Sequence, residues 1–236
     1  MAEKRIKAVI LDGGPRKDKN TAQALHKAMQ GALDAGAEVE YIRLFDLNFK
    51  GCHSCFACKV KGQQAHGVCV IKDELRPVLE KAVAADVVII GSPVYFSYPT
   101  GTTRSFLERF AFPNYTYLVN EQGKRALPIE HPKKTAMIYT MNISEELLEK
   151  WKYTTLLGRN DIALRAGFGH CETLYICNTY QFDDYSRYEF NLYPEEEKRA
   201  YRDEHFPIDL ENTYKLGWRL VEAVRAEQEM VTVEGR

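Results

Sequence analysis

The sequence predicts a three-layer α/β fold built on a parallel sheet, and three observations carry that prediction. Short apolar runs alternate about five times with segments whose apolar residues recur at helical spacing. The run Asp86-Val87-Val88-Ile89-Ile90-Gly91 is apolar throughout, as a strand covered on both faces must be. No repeat, low-complexity tract or linker divides the 236 residues. Residues 1–236 are therefore read as a single domain, with a cysteine-containing insertion at about 48–72 and an aromatic-rich C-terminal extension at about 178–236.

The elements follow in order. Ile6 to Leu11 forms a buried strand that meets a turn at Asp12-Gly13-Gly14-Pro15. From Asn20, the residues Ala22, Leu25, Ala28, Met29 and Leu33 recur at helical spacing, with Asn20 and Gln23 at the cap and third positions and Gly36 as the stop. Val39 to Leu44 alternates as a strand. Leu75, Val78, Leu79 and Ala82 make one helical face after Asp73, and residues 86–91 form the central strand. Thr100-Gly101 opens a helix carrying Phe106, Leu107 and Phe110. Pro113 to Pro132 reads as a long loop and Thr135 to Tyr139 as the next strand. Leu147 to Leu157 is read as helix, Cys171 to Cys177 as the last strand, and the tail as two charged helices, 194–205 and 209–228.

Composition excludes several classes. There are 32 Lys and Arg against 33 Asp and Glu, so no net field draws nucleic acid or an anionic membrane. No apolar run approaches the roughly 20 residues that span a bilayer, and the N-terminal run is too short for a signal-peptide core. The expectation is a cytoplasmic chain with neither a nucleic-acid nor a membrane partner. In that compartment six cysteines, four of them between Cys52 and Cys69, ask for a metal, redox or packing explanation.

In an open parallel sheet, ligands sit beyond the carboxyl ends of the strands, where strand order reverses. Two loops there draw attention. Gly13 to Thr21 joins a strand to a helix start and carries Arg16, Lys17 and Lys19, which suits a phosphate; an ordinary capped turn is the plainer reading. Neither the dinucleotide fingerprint nor a Walker loop is present. Gly91 to Gly101 holds Tyr95, Phe96 and Tyr98 between Pro93 and Pro99, a rigid frame for a flat heteroaromatic ligand. The same rings could instead plug the end of the sheet.

These segments carry a resemblance. Gly-Gly-Pro-Arg-(x3)-Asn-Thr, Gly-Cys-(x2)-Cys-(x2)-Cys, Cys-Val-Ile-Lys-Asp-Glu-Leu and Gly-Ser-Pro-Val-Tyr-Phe occur in that order. The chain resembles the flavodoxin-like, NAD(P)H-dependent FMN reductase superfamily, on the branch that includes the iron–sulfur flavoproteins, over residues 5 to about 142. The resemblance implies a five-stranded parallel sheet in the order 2-1-3-4-5, bound FMN, NAD(P)H as donor, and homodimers or homotetramers. By position, Arg16, Asn20 and Thr21 would hold the FMN phosphate with backbone from Gly14, Pro15 and Ala22. Pro93, Val94, Tyr95 and Phe96 would line the isoalloxazine, with Ser97 and Tyr98 at its edge and Thr140, Met141 and Asn142 on the other side. Family members commonly have Ser where this chain has Gly14, so phosphate affinity would lean on Arg16 and backbone N–H groups.

Cys52, Cys55, Cys58 and Cys69 could ligate an iron–sulfur cluster, since a C-x2-C-x2-C start is a strong signal for one. The ten-residue gap before Cys69 is longer than in the iron–sulfur flavoproteins, although a longer loop costs only about 0.6 kcal/mol per doubling. Zinc, with His53 and His66 as further ligands, is a second option, and packing without any metal takes precedence over both. Cys171 and Cys177 read as core.

Eight aromatics between Tyr180 and Phe206 suit a subunit interface, a pocket wall or plain packing. Glu195 to Arg199 reads as a solvated helix face. The function expected is transfer of reducing equivalents from NAD(P)H through FMN to a quinone, nitroaromatic or flavin. The alternatives are an iron–sulfur flavoprotein carrying electrons to or from a ferredoxin and a zinc-stabilised, non-enzymatic module. The flavin chemistry requires no side-chain acid or base, and none is assigned as catalytic.

Overall fold

The computed structural model describes residues 5–61, 67–123 and 132–234. Its strands are β1 (Lys7–Asp12), β2 (Glu38–Arg43), β3 (Val87–Tyr95), β4 (Tyr98–Pro99), β5 (Lys134–Thr140) and β6 (Glu172–Ile176). Its helices are α1 (Asn20–Asp34), α2 (Leu75–Ala84), α3 (Gly101–Ala111), α4 (Glu145–Lys150), α5 (Tyr153–Phe168) and α6 (Glu195–Glu234). Five strands pair in parallel in the order β2-β1-β3-β5-β6, which is the expected order once β4 is set aside. β4 is an unexpected sixth strand of two residues, folded back antiparallel on the end of β3.

Register aligns the strand ends. Asp12 stands opposite Gly91, Gly91 opposite Ile138, and Thr140 opposite both Pro93 and Ile176. The loops after β1, β3 and β5 therefore leave one edge of the sheet together. β1 lies between β2 and β3, so the reversal of strand order falls beside the β1 loop.

The sheet is covered on both faces, which is why Ile10, Leu11, Val88, Ile89, Ile90, Met137 and Ile138 carry no polar alternation. On one face α1 packs against α6, with Ala24, Leu25 and Ala28 meeting Leu216, Leu220 and Val221. The two helices touch at glycines: a Cβ on Gly31 would lie 2.0 Å from the Tyr214 carbonyl oxygen, and one on Gly217 would lie 2.0 Å from that of Ala28. On the other face α2, α3 and α5 bury Leu75, Leu79, Phe106, Phe110, Leu164 and Phe168.

Three expectations about elements change. The tail is one 40-residue helix that runs through Pro207, not two helices. A proline inside a helix costs about 3 kcal/mol, and the stripe from Phe206 to Val224 buried against α1 and the sheet outweighs it. The helix read over 147–157 is α4 and α5, broken at Lys152, whose φ of 55° is left-handed; α5 then continues to Phe168 and stops at left-handed Gly169. The stretch from Pro113 begins within a short 3-10 turn, Phe112–Asn114, and residues 124–131 lie outside the described residues. Cys171 and Cys177 flank β6 and are buried, as expected. Among the described residues no helix is long and apolar enough to cross a membrane.

Candidate functional site

The three strand-end loops are locked to one another. Gly13 donates its N–H to the Gly91 carbonyl at 2.8 Å, and a Cβ there would lie 1.8 Å from Thr103 Oγ1, so only glycine fits. Thr100 Oγ1 donates to the Gly13 carbonyl at 2.8 Å while accepting the Thr103 N–H, which caps α3. Thr21 and Thr140 share a hydroxyl hydrogen bond of 2.6 Å that joins the first loop to the third. Asp12, missed as a site residue in the sequence, fixes the turn from below. Its carboxylate accepts from Gly14 N–H at 2.8 Å and from the Tyr41 hydroxyl at 2.9 Å. Burial pushes its pKa up, while those two donors and Arg43 pull it back.

Asn20 does not cap α1 as the sequence predicts. Lys19 holds the cap position and offers no side-chain bond, whereas Thr100 and Ser144 do cap α3 and α4. The Asn20 amide is turned to the tail instead: Nδ2 donates to the Tyr180 carbonyl at 2.9 Å and Oδ1 accepts from Arg202 at 2.8 Å. Arg16 reaches the Gln181 carbonyl at 2.7 Å and Lys19 pairs with Asp183 at 2.6 Å. Asn20, Thr21 and Ala22 are buried, Gly14 is buried, and Pro15 and Arg16 are exposed. The helix start thus presents first-turn N–H groups without a side-chain cap, under a basic loop strapped by residues 180–183.

The second loop is a two-residue hairpin. Phe96 and Ser97, at φ of 48° and 71°, occupy the left-handed region that L-residues avoid. The rings do not plug the sheet end: Phe96 is 98% exposed, Tyr95 51% and Tyr98 54%. Pro93 and Val94 are half-buried beneath them, and Ser92 Oγ accepts the Thr100 N–H at 3.0 Å.

In the third loop Thr140 and Met141 are buried, and Asn142 Oδ1 is buried without a partner. The Asn142 carbonyl accepts from Lys198 Nζ at 2.9 Å, and Lys198 also donates to Asn178 Oδ1 at 2.6 Å. Lys198 corrects the reading of 195–199 as a solvated face. It is 2% exposed, and burial lowers its pKa to about 8. No sequence signal marks it, because its neighbours are charged and exposed. The aromatic extension packs largely on itself above these loops: Phe182 stacks on Tyr188 at 4.1 Å and stands edge-on to Tyr185 at 5.0 Å.

The family described as NADPH-dependent FMN reductase matches this sequence over residues 6–130, a span that contains the first two of these loops and all four clustered cysteines. The chain belongs to that family. Within curated proteins, this FMN reductase family member is 32% identical over 104 residues to an iron–sulfur flavoprotein of Methanocaldococcus jannaschii, covering 44% of this chain and 51% of that protein. It is 36% identical over 104 residues to an iron–sulfur flavoprotein of Archaeoglobus fulgidus, covering 44% and 48%. The match spans about half the length of these relatives. The fold is shared with an NAD(P)H:quinone oxidoreductase from Methanothermobacter marburgensis, at a TM-score of 0.65 and 16% identity over 92% of this chain and 96% of that one. An azoreductase from Bacillus anthracis superposes at 0.61 with 14% identity, over 91% and 99%.

The family's flavin fits the residues present. An uncapped helix start suits a phosphate, and an unpaired buried amide oxygen in the third loop suits a ring N–H donor. The cysteine segment of this FMN reductase family chain also borders a shared cavity. Cys52, Cys55, Cys58 and Cys69 all line a single small cavity beside Arg109. Cys52 and Cys55 are exposed, so packing as small apolar residues does not describe them. Ser54 N–H donates to Cys52 Sγ at 3.4 Å, and left-handed Ser54 and Phe56 wrap the backbone around the thiols. Burial raises the Cys58 pKa against the pull of Lys59. Among the described residues no three His, Cys, Asp or Glu side chains already stand as a metal site, so the thiols would have to turn inward to share a metal. Four thiols are nonetheless the ligand set that an iron–sulfur cluster takes. His53 is exposed, and His66 lies outside the described residues.

Proposed function

We propose that this chain is an FMN-dependent oxidoreductase that passes reducing equivalents from NAD(P)H to a small acceptor such as a quinone, nitroaromatic or flavin. The observation that carries the reading is the Thr21–Thr140 hydrogen bond of 2.6 Å, which holds the phosphate-type loop and the third loop at one strand-end edge beside exposed Tyr95 and Phe96. FMN, when bound, supplies acceptance of hydride from the nicotinamide and its delivery to the acceptor. The chain's own residues bind and orient. Arg16, Asn20 and Thr21 hold the phosphate with the Ala22 N–H, Arg16 and Asn20 exchanging the Gln181 and Tyr180 carbonyls for it, while Gly14, its N–H kept on Asp12, and Pro15 fix the loop's backbone. Pro93, Val94, Tyr95 and Phe96 frame the ring, with Ser97 and Tyr98 at its edge. Thr140, Met141 and Asn142 close the other side, and Asn142 Oδ1 accepts the hydrogen bond it otherwise lacks. The reading further expects a homodimer or homotetramer, a cytoplasmic location, and no nucleic-acid or membrane partner.

Purified protein should show FMN absorption bands and oxidise NAD(P)H with a quinone in parallel-line, ping-pong kinetics. Intersecting lines would count against two half-reactions at one site. Arg16→Ala should weaken FMN retention, and unchanged retention would remove Arg16 from the phosphate site.

A second reading, an iron–sulfur flavoprotein exchanging electrons with a ferredoxin, is favoured by the convergence of the four cysteines on one cavity. An anaerobic spectrum with iron, sulfide and zinc assays separates the cases. Broad brown absorption bleached by reductant supports the cluster, FMN bands alone sink it, and zinc in colourless protein supports a structural module.

A further inference from the structure

A cavity of about 790 Å3 opens between α3 and α5, running from Tyr98 on the hairpin loop to Cys52 on the cysteine segment. That volume lies in the range of roughly 300–1,000 Å3 that small-molecule sites occupy. Its walls are mostly apolar and aromatic. Phe112 meets Tyr117 edge-on at 6.3 Å, Tyr115 meets Tyr117 at 5.5 Å, and Phe56 meets Phe112 at 6.1 Å, so a ring-lined wall faces Leu107 and Leu156.

Three charged side chains also line it: Arg104, Glu108 and Arg159. Two are already committed. Glu108 Oε2 accepts the Cys52 N–H at 3.2 Å, while Arg104 donates to Asn160 Oδ1 at 2.9 Å and lies 3.7 Å from Glu108. Among the described residues Arg159 has no hydrogen-bond or ion-pair partner. The unspent charge of the cavity is therefore one guanidinium, that of Arg159, an exposed residue that lines the same cavity as the rings. A guanidinium binds a carboxylate, sulfonate or phosphate through paired N–H donors, and the rings take a flat apolar body.

We propose that this cavity binds a planar aromatic anion, with its rings against Tyr98, Phe112 and Tyr117 and its acid group on Arg159, and that it selects acidic aromatic acceptors. The acceptor role rests on the reductase reading above; the binding does not. For a quinone the net reaction balances as one NAD(P)H and one proton reducing the quinone to the hydroquinone, with NAD(P)+ released.

The test uses two anthraquinones on the full chain, one bearing a 2-sulfonate and one a neutral 2-hydroxymethyl group. Calorimetry should show the sulfonate bound more tightly. Arg159→Ala should weaken the sulfonate roughly tenfold, the low end for a charge-assisted pair because Arg159 is exposed to solvent, and change the neutral probe by less than about threefold. Arg159→Lys should restore part of the loss, and Ala163→Trp should fill the cavity and exclude both probes. In turnover, Arg159→Ala should raise KM for the sulfonate and leave kcat and the NAD(P)H KM unchanged. Equal binding of the two probes, an equal effect of Arg159→Ala on both, or no binding because a second copy of the chain closes the cavity would each overturn the site. Arg159-dependent binding without reduction of either probe would overturn the reductase reading and leave the site standing. Reduction of both probes without dependence on Arg159 would do the reverse.

Discussion

Arg109, buried in α3, holds both carboxylate oxygens of Asp73, with Nη2 donating to Oδ1 at 2.9 Å. The same guanidinium donates to the Lys50 carbonyl at 3.1 Å and the Ile71 carbonyl at 3.3 Å. Those three partners flank the cysteine segment on both sides, so one side chain fixes where Cys52 leaves and where Cys69 returns. Nothing in the spacing of the cysteines announces this, because Arg109 lies about forty residues further on, inside an apolar helix face.

Asp73→Asn should therefore destabilise the fold by about 2–3 kcal/mol, slightly under the usual figure for a broken buried pair because Asp73 is partly exposed. The effect should follow pH with a defined sign. Burial alone would raise the Asp73 pKa, but the hydrogen bonds and charge of Arg109 hold it below 3.8. A depressed carboxylate contributes stability above its unfolded pKa and loses it as pH falls through the folded value. Urea unfolding should show the full gap between wild type and variant above about pH 5, narrowing below 3.8. A gap that persists unchanged at low pH would mean that the carboxylate's charge is not what matters.

Lys198 gives a prediction at the other end of the pH scale. Its pKa is lowered from 10.5 to about 8 by burial, so the unfolded chain binds its proton more readily than the folded one between those values. Relative to Lys198→Met, wild-type stability should rise as pH climbs from 8 to 10.5. The variant also loses the bonds to Asn142 and Asn178, which freezes less of the third loop, and FMN retention should drop several-fold. Retention equal to wild type would separate Lys198 from the flavin loop.

Much of the fold was legible in the sequence because it rests on local patterns. Fully apolar runs such as Val87 to Ile90, too short for a helix, suit strands covered on both faces, and their alternation with helices gave the parallel sheet, whereas the strand order came from the family resemblance. The loops of the candidate site were legible where a motif sits on consecutive residues, as in 13–22 and 91–101, which the strand register brings to one edge of the sheet. What escaped is what the chain assembles from afar: Lys198 and Arg202 on α6, Arg109 on α3, and the strap at 180–183. A lone charged residue in a charged stretch looks the same whether tertiary packing buries it or solvent covers it. The continuous α6 was hidden for a related reason, since Pro207 signals a break locally and only burial against α1 and the sheet overrides it.

Gly14→Ser should tighten FMN binding. A Cβ at Gly14 would lie 3.0 Å from Asp12 Oδ1 and 3.4 Å from Thr21 Cβ, so a small side chain enters with shifts of a few tenths of an ångström. The added hydroxyl supplies one phosphate donor, about 1–2 kcal/mol and roughly 5- to 30-fold in Kd. Gly14→Ala adds the same bulk without the donor and should bind no tighter than wild type. Equal gains from both variants would show that packing, not the hydroxyl, sets the affinity. By contrast Gly13→Ala must displace Thr103, only 1.8 Å away, and should destabilise the loop by about 1–3 kcal/mol.

The hairpin at 96–97 separates stability from function. Both residues hold left-handed backbone at a cost of roughly 1–2 kcal/mol each, and Phe96 is almost wholly exposed, so packing repays none of it. Ser97→Gly should raise stability by about 1 kcal/mol, or roughly 2–4 °C in Tm, and keep FMN. Phe96→Asn gives the turn the residue it prefers and should stabilise by a similar amount, yet remove a ring that would frame the isoalloxazine. FMN retention should fall about tenfold in that variant alone, the loss expected for one aromatic contact of about 1.4 kcal/mol. If Phe96→Asn keeps FMN as tightly as Ser97→Gly does, the strained turn serves some purpose other than holding the ring, and Phe96 leaves the proposed site.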